Sequence, residues 1–441
     1  MTNFIVQPGG EVSGEILVPG DKSISHRSIM FGSLANGITN ISGFLMGEDS
    51  LATLAAFRAM GVNIEGPDDK GNITIEGVGM KGLKKPDSDL DLGNSGTSMR
   101  LLTGLLSAQD FDVRLIGDQS LSSRPMKRVV APVKLMGGKI ETDENNTAPL
   151  SINGSQRQGL LNGIAYHLPV ASAQVKSCLL LAGMYAKGKT CVTEPAPTRD
   201  HTERMLESFG YPLDVINLGD GKSQICLDGG YELKACDLHI PSDISSAAFF
   251  MVAACIADNS NVVLKHVGIN PTRDGIINIL KLMGADIEIH NEKMIGAEPV
   301  ADIVVKTSKL QGISIPEDQV PLAIDEFPII SIAAACAEGQ TILTGAEELR
   351  VKESDRIQAM IDGMTILGID CEGTTDGMII NGGDFTGGEV DSCGDHRIAM
   401  SFVMAALRAK DIITVLNCDN VNTSFPGFVE LSQQVGIRIQ K

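Results

Sequence analysis

The sequence predicts a mixed α/β (α+β) protein built as two lobes, and three observations carry that prediction. A phrase of helix, turn, strand and second helix recurs six times along 441 residues, at intervals of roughly 70–85 residues. Each copy's second helix ends at a glycine (Gly61, Gly137, Gly210, Gly284, Gly368 and Gly436), the residue that best tolerates the left-handed turn closing a helix. The chain is also 43% hydrophobic and 21% charged, enough apolar material for packed cores in a chain too long for a single one.

In the first copy, residues 25–35 read as an Ala/Ser-rich helix and 37–41 as a glycine turn entering a β-branched strand. Residues 49–60 follow as an amphipathic helix, and 62–65 resume strand alternation. The second copy has helices at 97–107 and 126–136 with a strand at 139–141. The third has helices at 173–186 and 200–209 around a strand at 188–192. The fourth runs from Ser245 through a helix at 272–283 to a strand at 285–287. The fifth runs from Phe327 through a strand at 339–342 to a helix at 354–367, and the sixth has helices at 396–409 and 425–434 around a strand at 412–415. Units this large and this few favour a closed arrangement over a solenoid, and six divide into two lobes of three. The boundary should fall near 235–241. The leading strands, 4–6 and 15–18, can pair with either lobe, and a cleft between lobes is the expected ligand site.

Composition narrows the partners. Lys and Arg number 36 against 55 Asp and Glu, a net charge of −19, which disfavours coating nucleic acid or an anionic membrane. Anionic ligands must then be held by local cations. Aromatics are 4% with no Trp, so 48 Gly and aliphatic side chains must make the core. The opening Met1-Thr2-Asn3-Phe4 carries no basic stretch before an apolar run, so no signal peptide is expected. The apolar runs 247–256 and 329–337 reach about half a membrane span. Nine scattered cysteines without a C-x-x-C pair point to free thiols in a reducing cytoplasm. Seven histidines without H-E-x-x-H spacing give no reason to expect a metal.

Unusual polar residues cluster at the mouths of the first helices: Gly20-Asp21-Lys22-Ser23-Ile24-Ser25-His26-Arg27, Leu92-Gly93-Asn94-Ser95-Gly96-Thr97-Ser98-Met99-Arg100, Ser172-Ala173-Gln174, Pro241-Ser242-Asp243, Ile324-Asp325-Glu326 and Gly394-Asp395-His396-Arg397. Ser, Asn, Asp and Thr are ordinary N-caps, which explains any one mouth. Six in one chain, several bearing Lys or Arg, suit an anion trap built from helix N-termini. Two further basic segments, Ser122-Ser123-Arg124-Pro125-Met126-Lys127-Arg128 and Arg350-Val351-Lys352-Glu353-Ser354-Asp355-Arg356, enter second helices. Alone they would be solvated faces. The latter mixes cations with carboxylates, as proton transfer on an anionic substrate requires.

In this order the strings Pro19–Arg27, Leu92–Thr97, Arg350–Arg356 and Gly394–Met400 resemble the 5-enolpyruvylshikimate-3-phosphate synthase family of enolpyruvyl transferases, a resemblance running from Gln7 to Ser424-Phe425-Pro426. It implies three βαβαββ units per lobe, with lobes at 21–237 and at 1–20 plus 238–441, closing on substrate. It implies transfer of the enolpyruvyl group of phosphoenolpyruvate to the 5-hydroxyl of shikimate 3-phosphate, in the route to chorismate and aromatic amino acids. No metal or organic cofactor is implied; the expected protein is a cytoplasmic monomer. By the same resemblance Lys22, Ser23, Arg27, Ser172, Gln174, Arg199, Asp325 and Lys352 bind shikimate 3-phosphate. Lys22, Asn94, Gly96, Arg124, Gln174, Arg356 and Arg397 bind phosphoenolpyruvate. Asp325 matches the proton acceptor, Glu353 the proton donor, and Lys22 a third catalytic group.

Three positions depart from the family pattern. Thr423 stands where many relatives have Lys, Glu348 replaces an Asn-like residue, and Leu101 replaces a common Pro. Gly96 leaves space an Ala would fill, so inhibition by glyphosate is expected. Two other readings compete. A UDP-N-acetylglucosamine enolpyruvyl transferase would carry a reactive Cys in its N-terminal half, and residues 117–128 have none. A catalytically silent binding relative would bind without turnover. Cys393 reads more simply as a small buried hydrophobe than as a nucleophile.

Overall fold

The structure, a computed structural model, describes residues 2–441. The chain divides into two compact units, one of Asp21–Ile240 and one joining the segment up to Gly20 with Pro241–Lys441. Each has its own apolar core. Leu238–His239 runs parallel to strand Ala35–Ser42, so residues 238–240 belong with the first unit and not, as expected, with the second.

Among the described residues there are six sheets, three in each unit, and one pattern runs through them. In the second copy, strand Leu90–Asp91 lies parallel to Asp112–Ile116, which pairs antiparallel with Leu150–Asn153, itself antiparallel to Ile140–Glu141. The third copy repeats this with Ala165–His167, Lys189–Glu194, Lys222–Asp228 and Asp214–Gly219. With helices Gly96–Ser107 and Lys127–Leu135 between its strands, the second copy reads βαβαββ in chain order.

Three of the other sheets complete the pattern with strands from distant parts of the chain, while the fifth copy's sheet has only the three strands Gln340–Leu343, Met378–Asn381 and Cys371–Gly373. Ser13–Ile16 lies parallel to Asn261–Gly268. Phe4–Val6 inserts between Ile413–Leu416 and Ile439–Gln440, antiparallel to both. The leading strands therefore pair with the second unit.

The first helices form the centre of each unit. Every residue of Ile244–Ile256 and of Phe327–Ala335 is buried, as befits helices apolar on all sides. These two pack on each other and on His396–Ala405, while Gly96–Ser107 packs on Ala173–Gly183 in the other unit. Each second helix ends where its glycine takes a positive φ, from +72° at Gly210 to +104° at Gly436. The sixth first helix is shorter than expected, because its last turn tightens to 3₁₀ geometry at Ala406–Arg408.

Two cysteine expectations fail. Cys191 and Cys226 form a disulfide, because the antiparallel register of their strands sets them opposite each other. Cys393 is exposed, with φ +53° in the turn before His396. Partial desolvation, with Asp391 close by, pushes its thiol pKa up, the reverse of what a nucleophile needs.

Candidate functional site

In the 21–240 unit the helix mouths hold cations against buried partners. Asp21 caps helix Lys22–Leu34 by accepting from the Ile24 amide at 2.8 Å. That cap places Lys22 on the first turn, where its ammonium pairs with the buried carboxylate of Asp49. Arg27, one turn on, is almost fully buried. Its Nε donates to Thr202 Oγ1 at 2.7 Å, and its two terminal nitrogens donate to Ser177 Oγ at 2.8 Å and the Ser23 carbonyl at 2.9 Å. Arg199 reaches Ser23 Oγ at 3.4 Å. Ser23, Arg27 and Arg199 are thus joined into one group, with Lys22 next to Ser23 on the same turn.

His26 sits behind this group, fully enclosed, with Nδ1 2.7 Å from Thr53 Oγ1. Burial first, then the charges of Lys22 and Arg27, holds its pKa well below the ordinary histidine value. Its imidazole is therefore neutral, and it adds no charge to the cationic mouth.

The second mouth is organised by Ser95, which caps helix Gly96–Ser107 by accepting from the Ser98 amide. Asn94 accepts from Arg124 at 2.7 Å and donates to Asp118 at the same distance. Gln174, behind the Ser172 cap of the third copy, accepts from Arg100 at 2.7 Å and donates to Thr97 at 3.1 Å. A Cβ built on Gly96 would lie 3.0 Å from the Arg100 guanidinium and 3.2 Å from that of Arg124. The absent side chain thus keeps two guanidinium groups in place.

The other unit gathers four expected residues, Asp325, Lys352, Glu353 and Arg397, about a fifth, Arg356. Arg356 is buried as the first residue of its helix. Its Nε donates to Asp395 Oδ2 at 2.8 Å, its NH2 lies 2.7 Å from Glu353 Oε2, and its NH1 lies 3.4 Å from Asp325 Oδ1. Lys352 Nζ is 3.5 Å from the same Asp325 oxygen. Arg397 donates to the Asp325 carbonyl at 2.9 Å. Burial opposes the Arg356 charge, but three carboxylates override it and raise the guanidinium pKa. Burial likewise pushes Asp395 up, and Arg356 more than reverses this, leaving it ionised.

Sequence reasoning missed several partners: Asp49, Arg100, Asp118, Asp395 in its ion-pairing role, and Glu326, whose Oε1 lies 3.5 Å from Arg397 NH1. Asp395 and Arg100 stood in motif strings but carried no signal beyond capping and charge. Of the three departures, Thr423 is buried and donates to the Asn420 carbonyl at 2.7 Å, securing a 3₁₀ turn. Among the described residues, no three His, Cys, Asp or Glu side chains group as a metal site.

A sequence profile described as EPSP synthase (3-phosphoshikimate 1-carboxyvinyltransferase) matches residues 6–431. A 3-phosphoshikimate 1-carboxyvinyltransferase of Methylococcus capsulatus is 63% identical over 99% of this chain and 98% of its own length. One from Ruthia magnifica is 60% identical over 100% and 99%. An EPSP synthase structure from Acinetobacter baumannii superposes with TM-score 0.89 at 58% identity, over 100% of this chain and 99% of that one. The enolpyruvyl transferase NikO of Streptomyces tendae, 16% identical, has TM-score 0.78 over 99% and 98% and so shares the fold. With its sequence matched nearly end to end, the chain belongs to the EPSP synthase family.

Proposed function

We propose that the chain transfers the enolpyruvyl group of phosphoenolpyruvate to the 5-hydroxyl of shikimate 3-phosphate, releasing phosphate. The observation that carries this reading is the grouping of Asp325, Glu353 and Asp395 around the buried Arg356. It sets a partly exposed carboxyl group, Glu353, beside a fixed cation that can hold a carboxylate or phosphate.

Carbon 2 of phosphoenolpyruvate becomes electrophilic only when carbon 3 gains a proton, and Glu353 donates it. The acceptor hydroxyl attacks carbon 2 as it loses its proton to Asp325, with the Lys22 ammonium assisting by stabilising the developing oxyanion. Phosphate leaves the tetrahedral adduct, and the new methyl group returns a proton to regenerate the enol ether. One carboxyl group can serve both directions at carbon 3. Arg124, Arg356 and Arg397, with Asn94, Gly96, Gln174 and Lys22, hold phosphoenolpyruvate. Ser23, Arg27, Ser172, Arg199 and Lys352, again with Lys22, Gln174 and Asp325, hold the acceptor. We place the enzyme in the cytoplasm as a monomer, with glyphosate as an inhibitor. Seven free cysteines support that compartment, and Cys191–Cys226 argues against it.

Phosphate release from phosphoenolpyruvate, with shikimate 3-phosphate or UDP-N-acetylglucosamine added in parallel, tests the reading. Release with shikimate 3-phosphate alone is expected. Release with the sugar nucleotide, or with neither acceptor, overturns it.

A further inference from the structure

Helix Ala173–Gly183 carries a lysine in its buried face. The Lys176 side chain is 1% exposed, and its Nζ lies 2.6 Å from Glu203 Oε1 and 3.1 Å from Glu194 Oε2. Glu194 also accepts from Thr198 Oγ1 at 2.6 Å and Ser223 Oγ at 2.9 Å. One cation faces two carboxylates, and Glu203 Oε2 is buried without a partner. Burial alone would discharge the lysine, but Glu203 and Glu194 keep its pKa raised.

Stability gives no reason for this arrangement. Removing an ion from water costs several kcal/mol, and apolar side chains of similar volume often serve as well. Its neighbours suggest another reason. Thr198 precedes Arg199, which reaches Ser23. Glu203 follows Thr202, which accepts from Arg27, and Lys176 precedes Ser177, which accepts from Arg27 as well. Ser177 and Thr202 are themselves 2.7 Å apart. Three residues of the lysine's network, Lys176, Thr198 and Glu203, are thus one step along the chain from a group that touches, or is, Arg27 or Arg199.

We propose that Lys176 is a positioning residue for the acceptor: by tying Glu194 to Glu203 it fixes the 194–203 segment, and so sets Arg27 and Arg199 for an anionic substrate. The proposal rests on the reading above that these two arginines bind shikimate 3-phosphate.

Lys176→Met keeps the length and removes the charge. It should raise KM for shikimate 3-phosphate about tenfold, the scale of one charge-assisted hydrogen bond. KM for phosphoenolpyruvate and kcat, per folded enzyme, should stay within about threefold on the same scale. Thr198→Val cuts the far end of the network and should shift the same KM. Combined with Lys176→Met it should add little, because both act on one path. The pair Lys176→Met/Glu203→Gln removes one charge of each sign, leaving a folded variant to measure should the single change not fold. A purely structural lysine would lower Tm in these variants and leave KM for shikimate 3-phosphate at its wild-type value, and that result overturns the proposal. Fully additive KM effects overturn it too. Arg199→Ala separates the two levels. If it leaves that KM unchanged, the reading of Arg199 falls and the inference with it. If it raises KM while the Lys176 and Thr198 variants do not, the inference alone falls.

Discussion

Arg356 donates through Nε to Asp395 at 2.8 Å, with the two side chains 2% and 0% exposed. Asp395 also caps its own helix by accepting from the Arg397 amide at 2.9 Å. One carboxylate therefore orients two of the proposed phosphoenolpyruvate-binding arginines. Asp395→Ala leaves a buried guanidinium short of a partner and should cost roughly 3–5 kcal/mol in urea unfolding. KM for phosphoenolpyruvate should rise in the fraction that folds.

Glu353→Gln keeps the shape of the proposed proton donor and removes its acidity. Phosphate release should slow roughly 10²–10⁴-fold in kcat, the range for a lost general acid. The side chain is 30% exposed, so the melting temperature should hardly move.

At Gly96 an added methyl group would press on the guanidinium ends of Arg100 and Arg124. Both ends can yield, so Gly96→Ala should fold. The space given up should weaken glyphosate about tenfold or more, which corresponds to roughly 1.4 kcal/mol. Parallel inhibition curves on the two proteins give the ratio, and equal curves would refute the steric argument.

His26 yields a pH prediction. In the fold its imidazole is kept neutral by burial and by Lys22 and Arg27, while an unfolded histidine takes up a proton below about pH 6.5. Stability from this source is fully present above that value and is lost as pH falls, because acid favours the unfolded chain. The loss approaches about 1.4 kcal/mol per pH unit. His26→Gln should flatten the dependence of unfolding free energy on pH between about pH 6.5 and 5.

The sixfold phrase was legible because its signals are local. Capping residues such as Asp21, Ser95, Ser172 and Asp395 stand next to the helices they start, and glycines follow the helices they end. Helix starts were less exact where a polar run precedes the first turn. Residues 272–274 lie outside helix Gly275–Leu282, and 354–355 outside Arg356–Ile366. Buried charge was not legible. Lys176, Glu194 and Glu203 resemble any solvated residues until strand and helix bring them together. The Cys191–Cys226 pairing likewise depends on register across two strands 35 residues apart, which no spacing rule reveals. The motif strings marked the helix mouths, but not Asp49 or Asp118, which hold Lys22 and Asn94 in place.

The insertion of Phe4–Val6 between Ile413–Leu416 and Ile439–Gln440 bears on how the protein is made. A ribosome releases that strand early, yet its neighbours emerge roughly 400 residues later, a wait of roughly 20–80 s at ordinary elongation rates. Every strand of the 21–240 unit finds its partners inside that unit, so it can mature while translation continues. The opening strand meanwhile has to wait without its partners until those late strands emerge.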